Sequence, residues 1–297
     1  MKNFQGKVAV ITGGASGLGR AMADRFASLG MRIVLADVEP NALAKTEAEM
    51  KAAGATVLGV RTDVSKAAEV EALAQKTLAA YGAVHLLANN AGVAEGGNVW
   101  DNTVADWEWV LGVNLWGVIH GVRVFTPLML KQESEGHIIN TASAAGLISP
   151  PGMGIYCVSK HAVVTLSECL HHDLAQKTNK LKCSVLCPTY VPTGITDSGR
   201  NRPASLKETR HKSAADLALD ASLKKAVQSG KLTAADVAQK VYEAVRDERF
   251  YILTHAKIKP SIQRRMEDIL ADRNPTTLWD EFARLKADAA RPPIAGS

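Results

Sequence analysis

Short apolar runs alternate with longer amphipathic stretches along this chain of 297 residues, and this alternation limits the possible folds more than any other feature. The runs are rich in Val, Ile and Leu and scarcely alternate with polar residues, which is typical of parallel strands buried on both faces. They predict strands at residues 7–12, 32–36, 56–61, 84–89, 137–141, 181–187 and 250–253. The stretches between them predict helices at residues 18–29, 41–53, 66–80, 103–131, 155–177 and 233–247. We therefore expect an α/β fold with a doubly wound, parallel, seven-stranded sheet.

Composition narrows the class of protein further. Hydrophobic residues make up 46% of the chain and charged residues 22%, as in ordinary soluble domains. No apolar run approaches the roughly 18 residues of a membrane helix, and no apolar leader precedes the first strand, so we expect a cytoplasmic protein without membrane insertion. The cysteines form no CxxC pair, which favours reduced, mostly buried thiols and no metal site. They are Cys157, Cys169, Cys183 and Cys187.

The net charge of +5 is unevenly distributed. Residues 1–194 contain 16 basic and 16 acidic side chains, whereas residues 195–297 contain 19 and 14. Such an excess is compatible with an anionic partner, a membrane surface or solvated helices. We find no nucleic-acid-binding motif and expect no nucleic-acid partner.

A glycine-rich turn, TGGASGLGR from Thr12 to Arg20, follows the first predicted strand. Glycine allows the backbone to turn sharply and a pyrophosphate to approach it at the positive end of the next helix. Asp37 ends the second strand, twenty residues beyond Gly17. A carboxylate there can bind the ribose hydroxyls of adenosine and would repel a 2′-phosphate, although an ordinary turn-capping aspartate occupies the same kind of position. The pattern predicts a Rossmann-type sheet that binds NAD.

Further polar residues follow the fourth and fifth strands. Asn89 to Gly92 read NNAG, Asn114 lies in a long predicted helix, and Ser143 follows the fifth strand. Tyr156 and Lys160 are four residues apart, so they share one face of a helix, where an ammonium can lower the pKa of a phenol. Taken singly, these are also the features of a surface tyrosine, a buried amide and a helix N-cap.

Together, these residues resemble the short-chain dehydrogenase/reductase family over about residues 5–255. The resemblance implies that Tyr156 is the general acid/base and that Lys160 binds the nicotinamide ribose and lowers the pKa of Tyr156. It also implies that Ser143 hydrogen-bonds the reacting oxygen. Asn114 would hold a water molecule that links Lys160 to solvent as a proton relay.

The same resemblance implies a set of cofactor-binding residues in addition to Tyr156 and Lys160. The phosphate contacts would come from Gly13, Gly17, Leu18 and Gly19. The nucleoside and nicotinamide contacts would come from Asp37, Asp63, Val64, Asn90, Gly92, Pro188 and Thr193. One departure from the family pattern is Thr189, since Gly commonly follows the proline, and it weakens the expected contact of Thr193 with the carboxamide.

The substrate is expected over the carboxyl ends of the strands, next to residues 93–95, 144–154 and 190–195. These stretches are largely apolar and contain no Arg or Lys, which favours a hydrophobic small molecule. We expect an oxidoreductase that interconverts a lipophilic, cyclic or aromatic secondary alcohol and its ketone with NAD. The alternatives are an NADPH-dependent 3-oxoacyl-type reductase and a catalytically silent nucleotide sensor.

The last third of the chain departs from the regular alternation. We expect a catalytic domain at residues 1–255 that includes a lid at about 194–232, with helical pieces near 204–211 and 213–228. Residues 256–297 are expected to form a helical extension, because apolar stripes predict two helices, with Pro275 beginning the second. The extension would pack across a subunit boundary or over the lid. In the family, the helices at 103–131 and 155–177 commonly pair between subunits, which implies a homodimer or homotetramer.

Overall fold

The computed structural model describes residues 1–207 and 212–276. Seven parallel strands in these residues form one sheet in the order β3-β2-β1-β4-β5-β6-β7. They are β1 (Val8–Thr12), β2 (Arg32–Asp37), β3 (Val57–Arg61), β4 (Leu86–Asn89), β5 (Gly136–Thr141), β6 (Leu181–Cys187) and β7 (Tyr251–Leu253). The predicted doubly wound sheet is confirmed. The chain reverses its direction of travel across the sheet between β1 and β4, so a crevice opens at their carboxyl ends.

The described helices cover both faces of the sheet. They are α1 (Gly17–Ala27), α2 (Pro40–Ala52), α3 (Ala67–Tyr81), α4 (Val104–Leu111), α5 (Gly117–Lys131), α6 (Gly154–Lys177), α7 (Ala214–Gln228), α8 (Ala234–Asp247) and α9 (Lys259–Leu270). The expected single helix at 103–131 is wrong in one respect, because a π-helical turn, Gly112–Trp116, separates α4 from α5. Such turns occur often at functional sites.

Neighbouring residues of a central strand enter opposite core layers, which explains why the strands lack apolar–polar alternation. Ile11 packs with Phe26 in the layer that contains α1 and α8. Val10 packs with Phe125 in the layer that contains α3 and α5. All four side chains are fully buried. The sheet is thus rigidly held from both sides, and the loops at its carboxyl edge are free to carry polar side chains.

The stretch Val104–Lys131 is long and apolar enough to cross a membrane, a match that the search for apolar runs in the sequence missed. Val110, Phe125 and Met129 of this stretch are buried within the packed core. The core helix of a soluble protein has the same composition, so the feature carries no argument for membrane insertion.

The remaining predictions about the end of the chain have mixed outcomes. α7 matches the predicted piece at 213–228, and α9 matches the first apolar stripe of the extension. The piece at 204–211 begins with only a 3₁₀ turn, Ala204–Leu206, and residues 208–211 lie outside the described residues. The helix expected after Pro275 lies outside them as well. The division into domain, lid and extension stays a prediction.

Candidate active site

A cavity of about 710 Å³ lies at the carboxyl edge of the sheet and contains nearly all of the predicted site residues. Asp37 lies at the end of β2, while Ser143, Tyr156 and Lys160 come from the β5 and α6 side. Of the predicted residues, Gly19 and Asn114 do not line the cavity. Both residues lie behind the cavity wall and contact residues that line it.

Two glycines of the glycine-rich turn, Gly13 and Gly19, leave no room for a side chain. Gly13 and Gly17 have φ values of +62° and +53°, in the left-handed region that favours glycine. A Cβ on Gly13 would lie 3.0 Å from the Cα of Ala91, and a Cβ on Gly19 would lie 2.0 Å from the carbonyl oxygen of Gly13. The turn is therefore a bare backbone cradle at the start of α1, which suits the diphosphate of a dinucleotide.

The carboxylate of Asp37 is fixed by two backbone hydrogen bonds. The N–H of Ala15 donates to Oδ2, and the N–H of Glu39 donates to Oδ1, each at 3.0 Å. Asp37 is buried, yet it lines the cavity. It therefore stabilises the turn, as an ordinary strand-end aspartate would. Each oxygen also keeps lone-pair capacity for a ribose hydroxyl.

Two predicted adenine-side residues line the wall after β3. Oδ1 of Asp63 accepts hydrogen bonds from the N–H and the hydroxyl of Ser65, at 3.0 and 2.7 Å. Val64 is buried beside it, and a Cβ on Gly117 would lie 2.7 Å from its side chain. This loop is thereby held against the start of α5.

Asn90 ties together the ends of three strands. Its N–H donates to Oγ1 of Thr12 at 2.8 Å, and its Nδ2 donates to the carbonyl of Thr12 at 3.0 Å. Its Oδ1 accepts from Thr141 at 3.3 Å. A Cβ on nearby Gly92 would lie only 3.6 Å from Nζ of Lys160. β1, β4 and β5 are therefore held in register where the nicotinamide is expected.

Asn114 lies in the π turn, fully buried. Its Oδ1 accepts from the N–H of Val93 at 2.8 Å, and its Nδ2 donates to the carbonyl of Val93 at 3.0 Å and to Ser159 at 3.1 Å. Both amide hydrogens are used, so these contacts describe a buried amide that joins the loop after β4 to α6. The predicted water-holding role of Asn114 stays a prediction.

Ser143, Tyr156 and Lys160 converge at the other end of the cavity. The Ser143 hydroxyl donates to the carbonyl of Pro188 at 3.4 Å and accepts from the N–H of Ala145 at 3.1 Å, and Tyr156 lies in the same cavity wall. The Nζ of Lys160 donates to the carbonyl of Thr141 at 2.9 Å and lies 5.7 Å from the ring centre of Tyr156. The Tyr-x-x-x-Lys spacing thus brings both side chains to one face of α6.

The segment after β6 closes one side of the cavity. The carbonyl of Pro188 accepts from the N–H of Ala144 at 2.8 Å, and Thr189 lies in the lining. Thr193 precedes a 3₁₀ segment, Gly194–Asn201, and lies so close to Gly17 that a Cβ there would be 3.3 Å from it. Pro188 and Thr193 are therefore both at the cavity, as the resemblance implied.

Comparison with known proteins agrees with this geometry. The profile of the short chain dehydrogenase family matches residues 7–204. The chain belongs to the short-chain dehydrogenase/reductase family. A crystal structure of such a protein from Burkholderia phymatum in complex with NAD is 56% identical, with a TM-score of 0.92 over 93% of this chain and 98% of that one.

Curated relatives of this short-chain dehydrogenase/reductase have the names of dehydrogenases and reductases. The CLA biosynthesis dehydrogenase/reductase of Lactiplantibacillus plantarum is 35% identical over 93% of this chain and 97% of its own length. The C alpha-dehydrogenase of a Sphingobium species is 32% identical over 97% and 93%. The resemblance seen in the sequence is confirmed.

Burial shifts the pKa of two predicted catalytic residues in this short-chain dehydrogenase/reductase. It raises the pKa of Tyr156 to about 12, against the opposing effect of the neighbouring Ser143 hydroxyl. Burial also lowers the pKa of Lys160 to about 8. The expected lowering of the Tyr156 pKa by Lys160 stays a prediction.

The substrate end of the cavity differs in part from the prediction. Val93, Val191 and Ile195 line it as expected, but residues 144–154 do not. Residues Ala144–Gly146 form a 3₁₀ turn that packs on α6, where a Cβ on Gly146 would lie 2.6 Å from the carbonyl of Lys160. Other apolar side chains line this end instead, and sequence reasoning missed them. They are Trp109, Val113, Pro203, Leu206 and Val227.

Residues 1–207 and 212–276 contain no group of three or more His, Cys, Asp or Glu side chains placed to bind a metal ion. All four cysteines are free, and three of them are buried as predicted, with Cys169 exposed. Burial raises the pKa of Cys183 and Cys187 to about 12, so both are inert thiols.

Proposed function

We propose that this protein is an NAD(H)-dependent oxidoreductase that interconverts a lipophilic secondary alcohol and its ketone, with Tyr156 as the general acid/base. One observation carries the proposal: a single cavity has the glycine turn and Asp37 at one end and Tyr156 with Ser143 at the other. The bare backbone cradle fits a dinucleotide diphosphate. When bound, the nicotinamide accepts or returns the hydride of the carbinol carbon.

The side chains then have distinct tasks. In alcohol oxidation, the Oη of Tyr156 accepts the hydroxyl proton, and the Ser143 hydroxyl donates a hydrogen bond to the reacting oxygen. The Lys160 ammonium, held by Thr141, stabilises the phenolate. In ketone reduction, Tyr156 returns the proton to the same oxygen. The positive charge of an oxidised nicotinamide would help to offset the burial that raises the pKa of Tyr156.

Two features support NAD over NADP. The buried carboxylate of Asp37 is locked by its two N–H donors, so it cannot swing away from a 2′-phosphate. Arg200 lines the same cavity, but its guanidinium is already paired with Glu39 at 2.7 Å. A phosphate at this end would therefore meet a fixed negative charge and an occupied cation.

The lining at the other end supports a neutral, lipophilic substrate. Trp109 and Leu206 pack beside Val93 and Ile155, and Val227 adds apolar surface to the same cavity. A neutral, apolar ring or chain would bury hydrocarbon against this wall at about 25 cal/mol per Å².

A direct test is a panel of hydrophobic secondary alcohols with NAD and with NADP at alkaline pH, followed at the nicotinamide absorbance. We expect alcohol-dependent reduction of NAD, with NADP much poorer. A clear preference for NADP would favour the 3-oxoacyl-type reductase. Binding of nucleotide without turnover of any alcohol or ketone would favour a nucleotide sensor.

A further inference from the structure

Glu39 is bound three times by one remote segment of the chain. Its Oε1 accepts hydrogen bonds from Nε and Nη2 of Arg200, at 3.0 and 2.7 Å, and from Nδ2 of Asn201, at 2.8 Å. The partners are more than 160 residues apart in sequence. These contacts lower the pKa of Glu39, with the hydrogen bond from Asn201 as the largest cause. The carboxylate is therefore charged at any pH at which the enzyme would operate.

The binding segment, Gly194–Asn201, is called the clasp segment here. At its start, Thr193 lies against Gly17 of the phosphate turn, and at its end Arg200 reaches Glu39, two residues beyond Asp37. All five residues line the same cavity. The clasp segment therefore runs along the cavity from the diphosphate cradle to the ribose-binding end.

Arg200 also shapes the clasp segment internally. Its Nη1 donates to the carbonyls of Asp197 at 2.9 Å and Gly194 at 3.3 Å. The Arg200 guanidinium therefore stabilises the 3₁₀ turn and also binds Glu39. A change at Glu39 removes the docking contact and leaves these internal hydrogen bonds in place.

The ion pair between Arg200 and Glu39 is weak enough to break and form again. The side chains of Arg200 and Glu39 are 44% and 31% exposed, and ion pairs in that environment contribute about 0–1 kcal/mol. A contact of this size biases a loop without locking it. It can therefore set how often the cavity opens rather than whether the protein folds.

We propose that Glu39 is a positioning residue that holds the clasp segment over the adenosine end of the cofactor and so sets the rate at which the cofactor leaves. The inference rests on the proposed function, because it takes the dinucleotide to lie in this cavity. Glu39 touches no reacting atom. Its effect should therefore appear in nucleotide release and in the KM for NAD, and not in the KM for the alcohol.

The test compares wild type with Glu39→Gln, Glu39→Ala, Arg200→Ala and the double variant Glu39→Ala/Arg200→Ala. NADH is displaced from each preformed complex in a stopped-flow fluorimeter, and the dissociation rate is measured. We expect dissociation to be about three- to tenfold faster in both alanine variants, with Glu39→Gln in between because its amide oxygen still accepts hydrogen bonds. In the double variant the acceleration should be clearly smaller than the product of the two single effects, since both substitutions remove the same ion pair.

A matched control is Glu71→Gln, which breaks the exposed pair of Glu71 with Arg123 at 2.6 Å, away from the cavity. Its NADH dissociation should equal that of wild type. Added salt should speed release more in wild type than in Glu39→Ala, because only wild type has the Arg200–Glu39 pair to screen.

The outcomes separate the two proposals. Wild-type dissociation rates in folded Glu39→Ala and Arg200→Ala would overturn the inference and leave the proposed function standing. Additive effects in the double variant would also overturn it, because they would show that the two residues act separately. If wild type bound no NADH, the proposed function and the inference would both fail.

Discussion

At the scale of single residues, Tyr156 is governed by competing neighbours. Burial raises its pKa to about 12, while the neighbouring Ser143 hydroxyl acts in the opposite direction. Lys160 is itself buried, which lowers its pKa to about 8 and leaves most of its charge in place at neutral pH. The protein therefore supplies a protonated phenol near a cation at neutral pH, which suits the proton donor of the proposed ketone reduction.

Replacing Tyr156 by Phe should remove the proton acceptor and keep the shape of the cavity. We expect kcat for alcohol oxidation to fall about 10²- to 10⁴-fold, the usual contribution of general acid–base catalysis, with little change in NAD affinity. Steady-state kinetics and nucleotide fluorescence titration measure the two effects. Tyr190→Phe is the control, because Tyr190 is 48% exposed and lies outside the cavity lining. Near-wild-type turnover in Tyr156→Phe would exclude the assigned role.

His137 makes stability depend on pH. It is fully buried in β5, its Nε2 lies 2.7 Å from Oγ of Ser184, and burial lowers its pKa to about 3. The unfolded chain binds a proton near pH 6.5, but the folded chain does not until about pH 3. Its contribution to stability is therefore complete above pH 6.5 and is lost as the pH falls, by about 1.4 kcal/mol per pH unit.

Urea unfolding at pH 7, 6 and 5 tests this dependence. Carboxylates titrate in every variant and also change the free energy of unfolding with pH. The informative quantity is therefore the difference between wild type and His137→Leu in the slope of this free energy against pH. We expect the leucine variant to be less stable at pH 7 and to lose less stability on acidification. His172→Leu is the control for the substitution itself, since the His172 side chain is exposed and lies outside the core. Equal slopes in wild type and His137→Leu would refute the assignment.

At the scale of elements, the turn between β1 and α1 brings the Gly13 backbone close to Ala91 and also gives Gly13 a positive φ. Gly13 has a φ of +62° and would place a Cβ 3.0 Å from Ala91, whereas Gly54 has a φ of +87° with nothing within 4 Å. Both alanine variants should lose about 1 kcal/mol of stability from backbone strain. Only Gly13→Ala should also lose NAD affinity, by about tenfold or more, as the turn shifts. Calorimetric titration measures the affinity, and equal NAD binding by both variants would contradict a phosphate cradle.

The elements also show how far sequence reasoning reaches. All seven predicted strands lie within two residues of the observed ones, because burial on both faces leaves a strong apolar signal. Most of the expected cofactor-binding residues could be predicted from the sequence because they lie at or soon after the ends of strands. The π turn was not predicted, since the hydrogen bonds of Asn114 to Val93 and Ser159 that accompany it are tertiary contacts. Leu206 and Val227 reach the cavity only through the path of the chain after β6, for which local periodicity carries no information.

At the scale of the whole molecule, part of the uneven charge is used within the chain. Three cations from the basic last third pair with carboxylates of the balanced first 194 residues. The pairs are Arg200 with Glu39, Arg202 with Asp106, and Lys212 with Glu95. The members of each pair are more than 90 residues apart, so the sequence showed the excess but not its partners. These three basic residues therefore dock the region after β6 onto the sheet's carboxyl edge, and the chain itself supplies their anionic partners.

The pair of Arg202 and Asp106 should be the strongest of these contacts, because its side chains are only 11% and 5% exposed. Arg202 also donates to the carbonyl of Leu206 at 2.7 Å and lies 5.2 Å from the ring centre of Trp109. Arg202→Ala leaves a buried carboxylate unpaired, so we expect a loss of about 3–5 kcal/mol in urea unfolding. Arg123→Ala, which breaks an exposed pair, should lose less than about 1 kcal/mol.

The same variant separates the two ends of the cavity. Since Leu206 and Trp109 line the substrate end, Arg202→Ala should raise the KM for the lipophilic alcohol several-fold and leave the KM for NAD within about twofold of wild type. Assays run at a temperature where the variant is still folded keep the loss of stability out of the kinetics. Glu39→Ala should show the reverse pattern, with the KM for NAD raised and that for the alcohol unchanged. If both variants raised both constants equally, the region after β6 would act as one rigid lid, and the separate docking of its two ends would be wrong.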